Sequence, residues 1–135
     1  MSQENVEAVR RWVDKANAGE IPQHRDSLFA SRLDFRDELG ELDNRDDLRA
    51  YLESWRSALS GLHVDFEQFT DLGDTLLLEM NQAGHGAASG IDVEQRFTWV
   101  MTFKDGRCVR WHIYADHAAA LEAVGLSEHD AHADN

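Results

Sequence analysis

The sequence predicts an α+β fold in which a curved antiparallel sheet wraps around three N-terminal and central helices, followed by a short C-terminal helix. Two observations predict this fold. Helical patterns flank one short strand pattern, and a run of alternating strand patterns follows them, an order typical of α+β domains. The clearest of these patterns is in residues 91–116, where every second side chain from Gln95 to Phe103 is apolar or an amide.

Residues 91–116 are predicted to form a hairpin, on which the rest of the fold depends. A three-residue loop closed by Gly106 would bring Trp99 opposite Trp111, whereas a two-residue loop would bring Trp99 opposite His112. We adopt the first register because it separates apolar from polar side chains better. The outer face of the second strand then carries Arg110, His112 and Tyr114.

The N-terminal residues show two helical patterns. The first helix is predicted to begin at Ser2 and to end at Gly19. Its apolar stripe consists of Val6, Val9, Val13 and Ala16, with Trp12 at the edge. A second, shorter helix is predicted over residues 22–30, because Pro22 suits a first helical turn. Its inward side chains are expected to be Leu28 and Phe29.

Strand and helix patterns alternate in the middle of the chain. Residues 33–37 are predicted to form a short strand in which Leu33, Phe35 and Asp37 share one face. The polar residues 38–44 are predicted to form a loop. A third helix, ended by Gly61, is indicated by the spacing of Leu48, Leu52, Trp55 and Leu59.

Two further strands are predicted before the hairpin. The first alternates from Leu62, and a bulge is expected near Gln68 because Phe69 falls out of phase. A turn at Gly73 leads to the second strand, and residues 84–90 are predicted to be a flexible connection. The inner face of that second strand carries Leu76, Leu78, Met80 and Gln82.

The chain is predicted to be one domain over residues 1–126. Asp116 is expected to cap a last helix over residues 117–124, which ends at Gly125. Residues 127–135 are acidic and are predicted to form a disordered tail.

Composition bears on partners and location. The chain carries 13 basic and 26 acidic residues, a formal charge of −13, which argues against nucleic acid and anionic membranes as partners. A single cysteine, Cys108, cannot form an internal disulfide, and neither a membrane span nor a signal peptide is recognisable. We therefore expect a cytoplasmic protein.

A curved sheet wrapped on helices is expected to leave a cavity between them. The large side chains predicted to converge there are Trp12, Phe35, Met80, Phe97, Trp99, Trp111 and Ile113. Such side chains could equally fill a core without binding anything. The polar groups Asp37, Gln82 and Gln95 share the inward phase, and a buried carboxylate among aromatic rings needs a reason. These ten residues are the candidate ligand pocket.

The chain to about Leu126 resembles the nuclear transport factor two-like superfamily, in its branch of SnoaL-like polyketide cyclases and ketosteroid isomerases. The resemblance is carried by the order and spacing of NVEAVRRWVDKANAGEI, LDFRD, RDDLRAYLESW and FTWVMTFKDGRCVRWHIYAD. It implies a cone-shaped, cystatin-like α+β barrel with a deep apolar pocket. It also implies a homodimer through the outer sheet face, which here carries Arg110, His112 and Tyr114. Fold alone fixes no function in such a superfamily.

The resemblance to ketosteroid isomerases implies that Asp37 is the general base. The positions that hold the oxyanion in those enzymes correspond to Trp12 and Trp99, which offer neither a hydroxyl nor a carboxyl proton. The catalytic positions of limonene epoxide hydrolase correspond to Met80, Gln82 and Ile113, so that arrangement of charged groups is missing too.

Two functions remain open. In the first, the protein binds a flat, apolar, carbonyl-bearing molecule and transfers a proton without a cofactor, with Asp37 as base and an amide or indole donor on the oxygen. In the second, the pocket only binds such a molecule or is vestigial in a dimeric scaffold, and Asp37 caps the following loop. A strand slip of one residue would instead turn Asp34, Arg36 or His63 inward. No histidine cluster has a metal-ligand spacing, so no metal is expected.

Overall fold

The computed structural model of the chain describes residues 2–18 and 28–125. Within these ranges the chain forms three helices and six strands. In chain order they are α1 (Ser2–Asn17), β1 (Phe29–Arg36), β2 (Glu41–Asn44), α2 (Arg45–Ala58), β3 (Leu59–Asp71), β4 (Thr75–Gly86), β5 (Asp92–Lys104), β6 (Arg107–Tyr114) and α3 (His117–Ala123). The first helix, the central helix and the C-terminal helix are therefore confirmed.

The six strands form one curved sheet in the order β2-β1-β6-β5-β4-β3. Its neighbouring strands are antiparallel, as predicted, except that β1 runs parallel to β6. The sheet is open, because β2 and β3 lie at its two edges. Helices α1 and α2 pack on the inner face and α3 packs on the outer face. The α+β prediction is therefore confirmed.

The inner core follows the two periodicities that the sequence shows. The helical stripe of α1 is buried, and so are alternate residues of β4 and β5. The members of this core from these three elements are Val6, Val9, Trp12, Val13, Leu76, Leu78, Met80, Trp99, Met101 and Phe103.

A smaller core lies on the outer face beneath α3. It consists of Leu77, Val100, Ala120 and Leu121. Asp116 caps this helix, as predicted, because its Oδ1 accepts a hydrogen bond from the Ala118 amide at 3.0 Å. Because α3 covers this part of the outer face, side chains on both faces of the sheet are buried in the middle of β5.

Several predicted boundaries are wrong. The helix predicted over residues 22–30 has most of its length outside the described residues, but Phe29 and Ala30 belong to β1. Four of the seven residues of the predicted loop 38–44 form strand β2, which pairs with β1. Gly61 does not end α2, because the helix ends at Ala58 and Gly61 lies inside β3 with φ +62°. Strand β4 continues to Gly86, into the predicted connection 84–90.

The hairpin of β5 and β6 has the predicted faces but a different register. Asp105 and Gly106 both have positive φ, 53° and 79°, so the loop contains two residues and not three. A two-residue loop alone would turn the inner-face side chains of β6 to the outer face. Val109 is an extra residue on β6, and the bulge that it forms returns these side chains to the inner face. Trp99 consequently lies opposite Ile113, and Trp111 lies opposite Met101.

Strand β3 carries the predicted bulge and lies at the edge of the sheet. Its register shifts between Phe66 and Gln68, next to the expected position. On its unpaired side, the side-chain amide of Asn17 donates to the Val64 carbonyl at 2.8 Å and accepts from the Val64 amide at 2.8 Å. The end of α1 is thereby attached to the sheet.

The outer face of β6 carries the predicted trio, and two of its members contact β1. His112 Nε2 lies 3.0 Å from Asp34 Oδ2, and Arg110 Nε lies 3.4 Å from the same oxygen. Tyr114 packs against the small core beneath α3. The homodimer through this face stays a prediction.

Other sequence expectations concern the chain ends and membranes. The predicted helix end at Gly19 and the tail 127–135 lie outside the described residues. Among the helices in the described ranges, none is long and apolar enough to cross a membrane.

Candidate functional site

A cavity of about 310 Å³ opens between helices α1 and α2 and the inner face of the sheet. Nine of the ten predicted pocket residues line it: Trp12, Phe35, Asp37, Gln82, Gln95, Phe97, Trp99, Trp111 and Ile113. Met80 does not. It is buried within the core, between Phe66 on β3 and Phe97 on β5. Its side chain lies on the inner face of the sheet, as predicted, but it does not line the cavity.

Aromatic rings make up much of the cavity wall. Seven rings line it, including all four tryptophans of the chain. Trp111 is 1% exposed and lies at the centre of this group, with its ring 4.8 Å from Trp99, 5.6 Å from Trp12 and 5.2 Å from Phe35. The interior end of the cavity is therefore a rigid, apolar surface.

The mouth is more polar and more exposed than the interior. Leu39 is 75% exposed, and Glu38 and Arg56 are also exposed. Gln82 and Gln95 lie opposite each other on β4 and β5, half-buried and exposed respectively. A ligand bound inside would therefore contact mainly aromatic rings, and it would contact amide and charged groups only at the rim.

Asp37 lies directly after β1, where it organises the turn into β2. Its Oδ1 accepts hydrogen bonds from the amides of Leu39, at 2.8 Å, and Gly40, at 3.1 Å. The Asp37 amide in turn donates to the Gly40 carbonyl at 3.0 Å. Asp37 therefore caps the loop and lines the cavity at the same time, which joins two alternatives that the sequence left open.

The second carboxylate oxygen of Asp37 contacts a residue of α2. The Tyr51 hydroxyl donates to Asp37 Oδ2 at 2.5 Å, and the Tyr51 ring packs edge-on against Phe35 at 5.7 Å. Burial raises the pKa of Tyr51, and the hydrogen bond to the Asp37 carboxylate raises it further. The phenol is therefore protonated and donates to Asp37 at neutral pH.

We expect Tyr51 to ionise later in an alkaline titration than an ordinary tyrosine, whose pKa is about 10. A folded-state pKa above the unfolded one means that the stabilisation is complete below about pH 10 and is lost as the pH rises through the folded value. Near-ultraviolet phenolate absorbance measures this. The late phase should disappear in Tyr51→Phe and persist in Tyr114→Phe, the other tyrosine of the chain; loss of only an early phase in Tyr51→Phe would contradict the assignment.

Comparison with known families identifies the domain. The family model of the SnoaL-like domain matches residues 9–111. The chain belongs to the SnoaL-like family. A search of curated protein sequences found no significant match.

Solved structures share the SnoaL-like fold at low sequence identity. A candidate SnoaL-like polyketide cyclase from Jannaschia sp. CCS1 is 19% identical, with a TM-score of 0.73 over 91% of this chain and 92% of its own. A candidate isomerase from Bacillus subtilis is 15% identical, with a TM-score of 0.73 over 93% and 97%. A Catenulispora acidiphila protein with a ketosteroid isomerase-like fold, in complex with trimethylamine, is 19% identical, with a TM-score of 0.71 over 89% and 93%. These likenesses confirm the fold.

Sequence reasoning missed the α2 side of this SnoaL-like cavity. Tyr51, Leu52 and Trp55 all line it, together with Arg56. The signal was present, since Leu48, Tyr51, Leu52 and Trp55 follow the i, i+3, i+4, i+7 spacing of one helix face. Only the contact between Tyr51 and Asp37, which are 14 residues apart, required the structure.

The SnoaL-like cavity offers few groups to a metal ion. Among the residues that the structure describes, no cluster of three or more His, Cys, Asp or Glu side chains could hold one. Cys108 is fully buried in the core, and burial raises the pKa of its thiol to about 12. This thiol is therefore no nucleophile at neutral pH.

Proposed function

We propose that the protein binds a flat, apolar, carbonyl-bearing small molecule in this cavity and transfers a proton on it, with Asp37 as the base and without a cofactor. One observation carries the proposal: a carboxylate and a phenol are hydrogen-bonded to each other on the wall of an aromatic cavity. This pair supplies the second ionisable group that the sequence did not reveal.

The proposed step is proton abstraction beside the carbonyl. The carbon–hydrogen bond breaks, its proton passes to Asp37 Oδ2, and the electron pair delocalises onto the carbonyl oxygen as an enolate. The Gln82 or Gln95 amide, or the indole N–H of Trp12 or Trp99, donates to that oxygen. Asp37 then returns the proton to the same or another carbon, which leaves the protein unchanged.

The geometry supports the binding part of the proposal most directly. A cavity of about 310 Å³ lies at the lower end of the range for ligand pockets, and flat rings favour a flat ligand. The Catenulispora relative holds a small organic molecule, trimethylamine. We extend to this chain the capacity of the fold to accept such molecules.

A second candidate is a binding protein without catalysis. Its support is the turn at Asp37, because two backbone amides already occupy Oδ1, as expected of a purely structural cap. In this case the cavity would bind the same class of ligand, and the pair of Asp37 and Tyr51 would only fix its orientation.

Deuterium exchange separates the two candidates. Flat bicyclic ketones such as 1-indanone and 1-tetralone are incubated with the protein in heavy water, and NMR follows loss of the protons beside the carbonyl. We expect binding and exchange faster than in protein-free buffer. Binding without faster exchange would favour the second candidate, and no binding by any such ketone would contradict both.

A further inference from the structure

We propose that the same cavity binds an organic cation, with an ammonium group beside Asp37 and against the faces of the surrounding rings. The inference rests on the binding part of the proposed function and is independent of the proton-transfer step. It names a property of the ligand that neither the fold nor the aromatic lining alone would specify, namely a positive charge.

The rings of the cavity are arranged at steep angles to each other. The indole planes of Trp12 and Trp111 are inclined by 84°, those of Trp12 and Trp99 by 65°, and those of Trp99 and Trp111 by 63°. In each pair the edge of one ring meets the face of the other, so the rings that line the cavity differ in orientation. A cation is attracted to the negative face of an aromatic ring, most strongly to tryptophan, and the attraction grows when water is excluded.

The charge of Asp37 is not balanced by a cationic side chain. Within residues 2–18 and 28–125, Asp37 forms no ion pair, and its partners are two backbone amides and a neutral phenol. Asp34 differs, since Arg110 and His112 both approach its carboxylate from β6. Hydrogen bonds hold the Asp37 carboxylate in place without neutralising it, so no side chain in the described ranges balances its charge and a bound cation could do so.

The charged groups around the cavity also favour a ligand with a positive charge. Glu38 adds a second carboxylate at the mouth, against one cationic lining residue, Arg56, which is exposed and therefore screened by water and salt. The whole chain carries a formal charge of −13, and such a field concentrates cations near the protein and speeds their association. The field alone would attract any cation, and the ring walls select one with an apolar surface.

A pair of probes of nearly equal shape tests the inference. Phenyltrimethylammonium and tert-butylbenzene differ in one central atom and one charge. Binding is followed in nitrogen–proton correlation spectra through the four indole groups, all of which line the cavity. We expect both probes to shift these signals, and the cation to bind about tenfold or more tightly, as a charge interaction in a partly desolvated site implies.

A matched pair of variants locates the charge that is responsible. Asp37→Asn keeps an acceptor for the turn amides while it removes the charge, and should abolish most of the preference for the cation, measured as the ratio of the two affinities. Asp105→Asn makes the same change of net charge at an exposed position in the loop between β5 and β6, and should leave the preference intact.

Each result decides between distinct possibilities. Equal binding of the two probes would overturn the cation inference and leave the apolar cavity in place. Binding of neither would overturn both the inference and the proposed binding function. An equal loss of preference in both variants would show that the general field, and not Asp37, attracts the cation. If Asp37→Asn does not fold, the wild-type comparison of the two probes still decides.

Discussion

Replacing Asp37 by asparagine is expected to slow the exchange of a bound ketone by about 10²–10⁴-fold, the usual contribution of a positioned general base. The asparagine carbonyl can still accept from the Leu39 and Gly40 amides, and its NH₂ group can donate to the Tyr51 hydroxyl. The variant should therefore keep the fold and the cavity while it loses the basic group. Exchange rates by NMR under saturating ketone measure the effect.

Two controls make this expectation specific. Asp105→Asn alters the net charge equally and should exchange the ketone at the wild-type rate. Tyr51→Phe leaves the carboxylate in place but removes the donor at Oδ2, so its exchange rate should fall less than that of Asp37→Asn. An Asp37→Asn protein that exchanges as fast as the wild type would show that Asp37 is only the cap of its turn.

Truncating Trp111 to alanine is expected to lower the free energy of unfolding by about 3–5 kcal/mol. The residue is 1% exposed, stacks on Phe29 with centroids 5.2 Å apart, and has Trp12, Phe35 and Trp99 around it. Because β1, β5 and α1 hold these neighbours in place, the space cannot collapse. Denaturant unfolding followed by circular dichroism measures the change.

Trp55→Ala is the matched control for this truncation. Trp55 is also a tryptophan of the cavity wall, but it is only half-buried and lies near the C-terminal end of α2. Its loss should cost clearly less stability than the loss of Trp111. Equal costs for the two variants would mean that Trp111 is not the centre of the aromatic core.

Faces were predictable from this sequence, but pairings were not. The alternation in β5 and β6 assigned Trp99, Trp111 and Ile113 to the inner face correctly. The register was off by two residues, because a two-residue turn and a bulge at Val109 have opposite effects on phase and leave no trace in the alternation. Periodicity reports which side of a sheet a residue lies on, and says nothing of its partner.

The candidate site, too, could be predicted only in part from the sequence. The sequence pattern indicates which side chains point inward, and nine of the residues selected in this way line the cavity, since only inward-pointing side chains can reach it. It also selected Met80, because phase does not distinguish a filled part of the core from an empty one. Tyr51 was missed although it lies on the inward face of α2, because its role depends on a contact with another element.

The amide of Asn17 makes the two hydrogen bonds with Val64 that a neighbouring strand would make. An exposed sheet edge can template the addition of a strand from another molecule, a common start of aggregation. At Val64 the side chain of α1 occupies this position, so one residue both lines the cavity and blocks edge-to-edge association. Replacing Asn17 by a smaller residue would enlarge the cavity and would also expose the edge of β3 at Val64. A wider pocket at this position would therefore increase the tendency of the protein to aggregate.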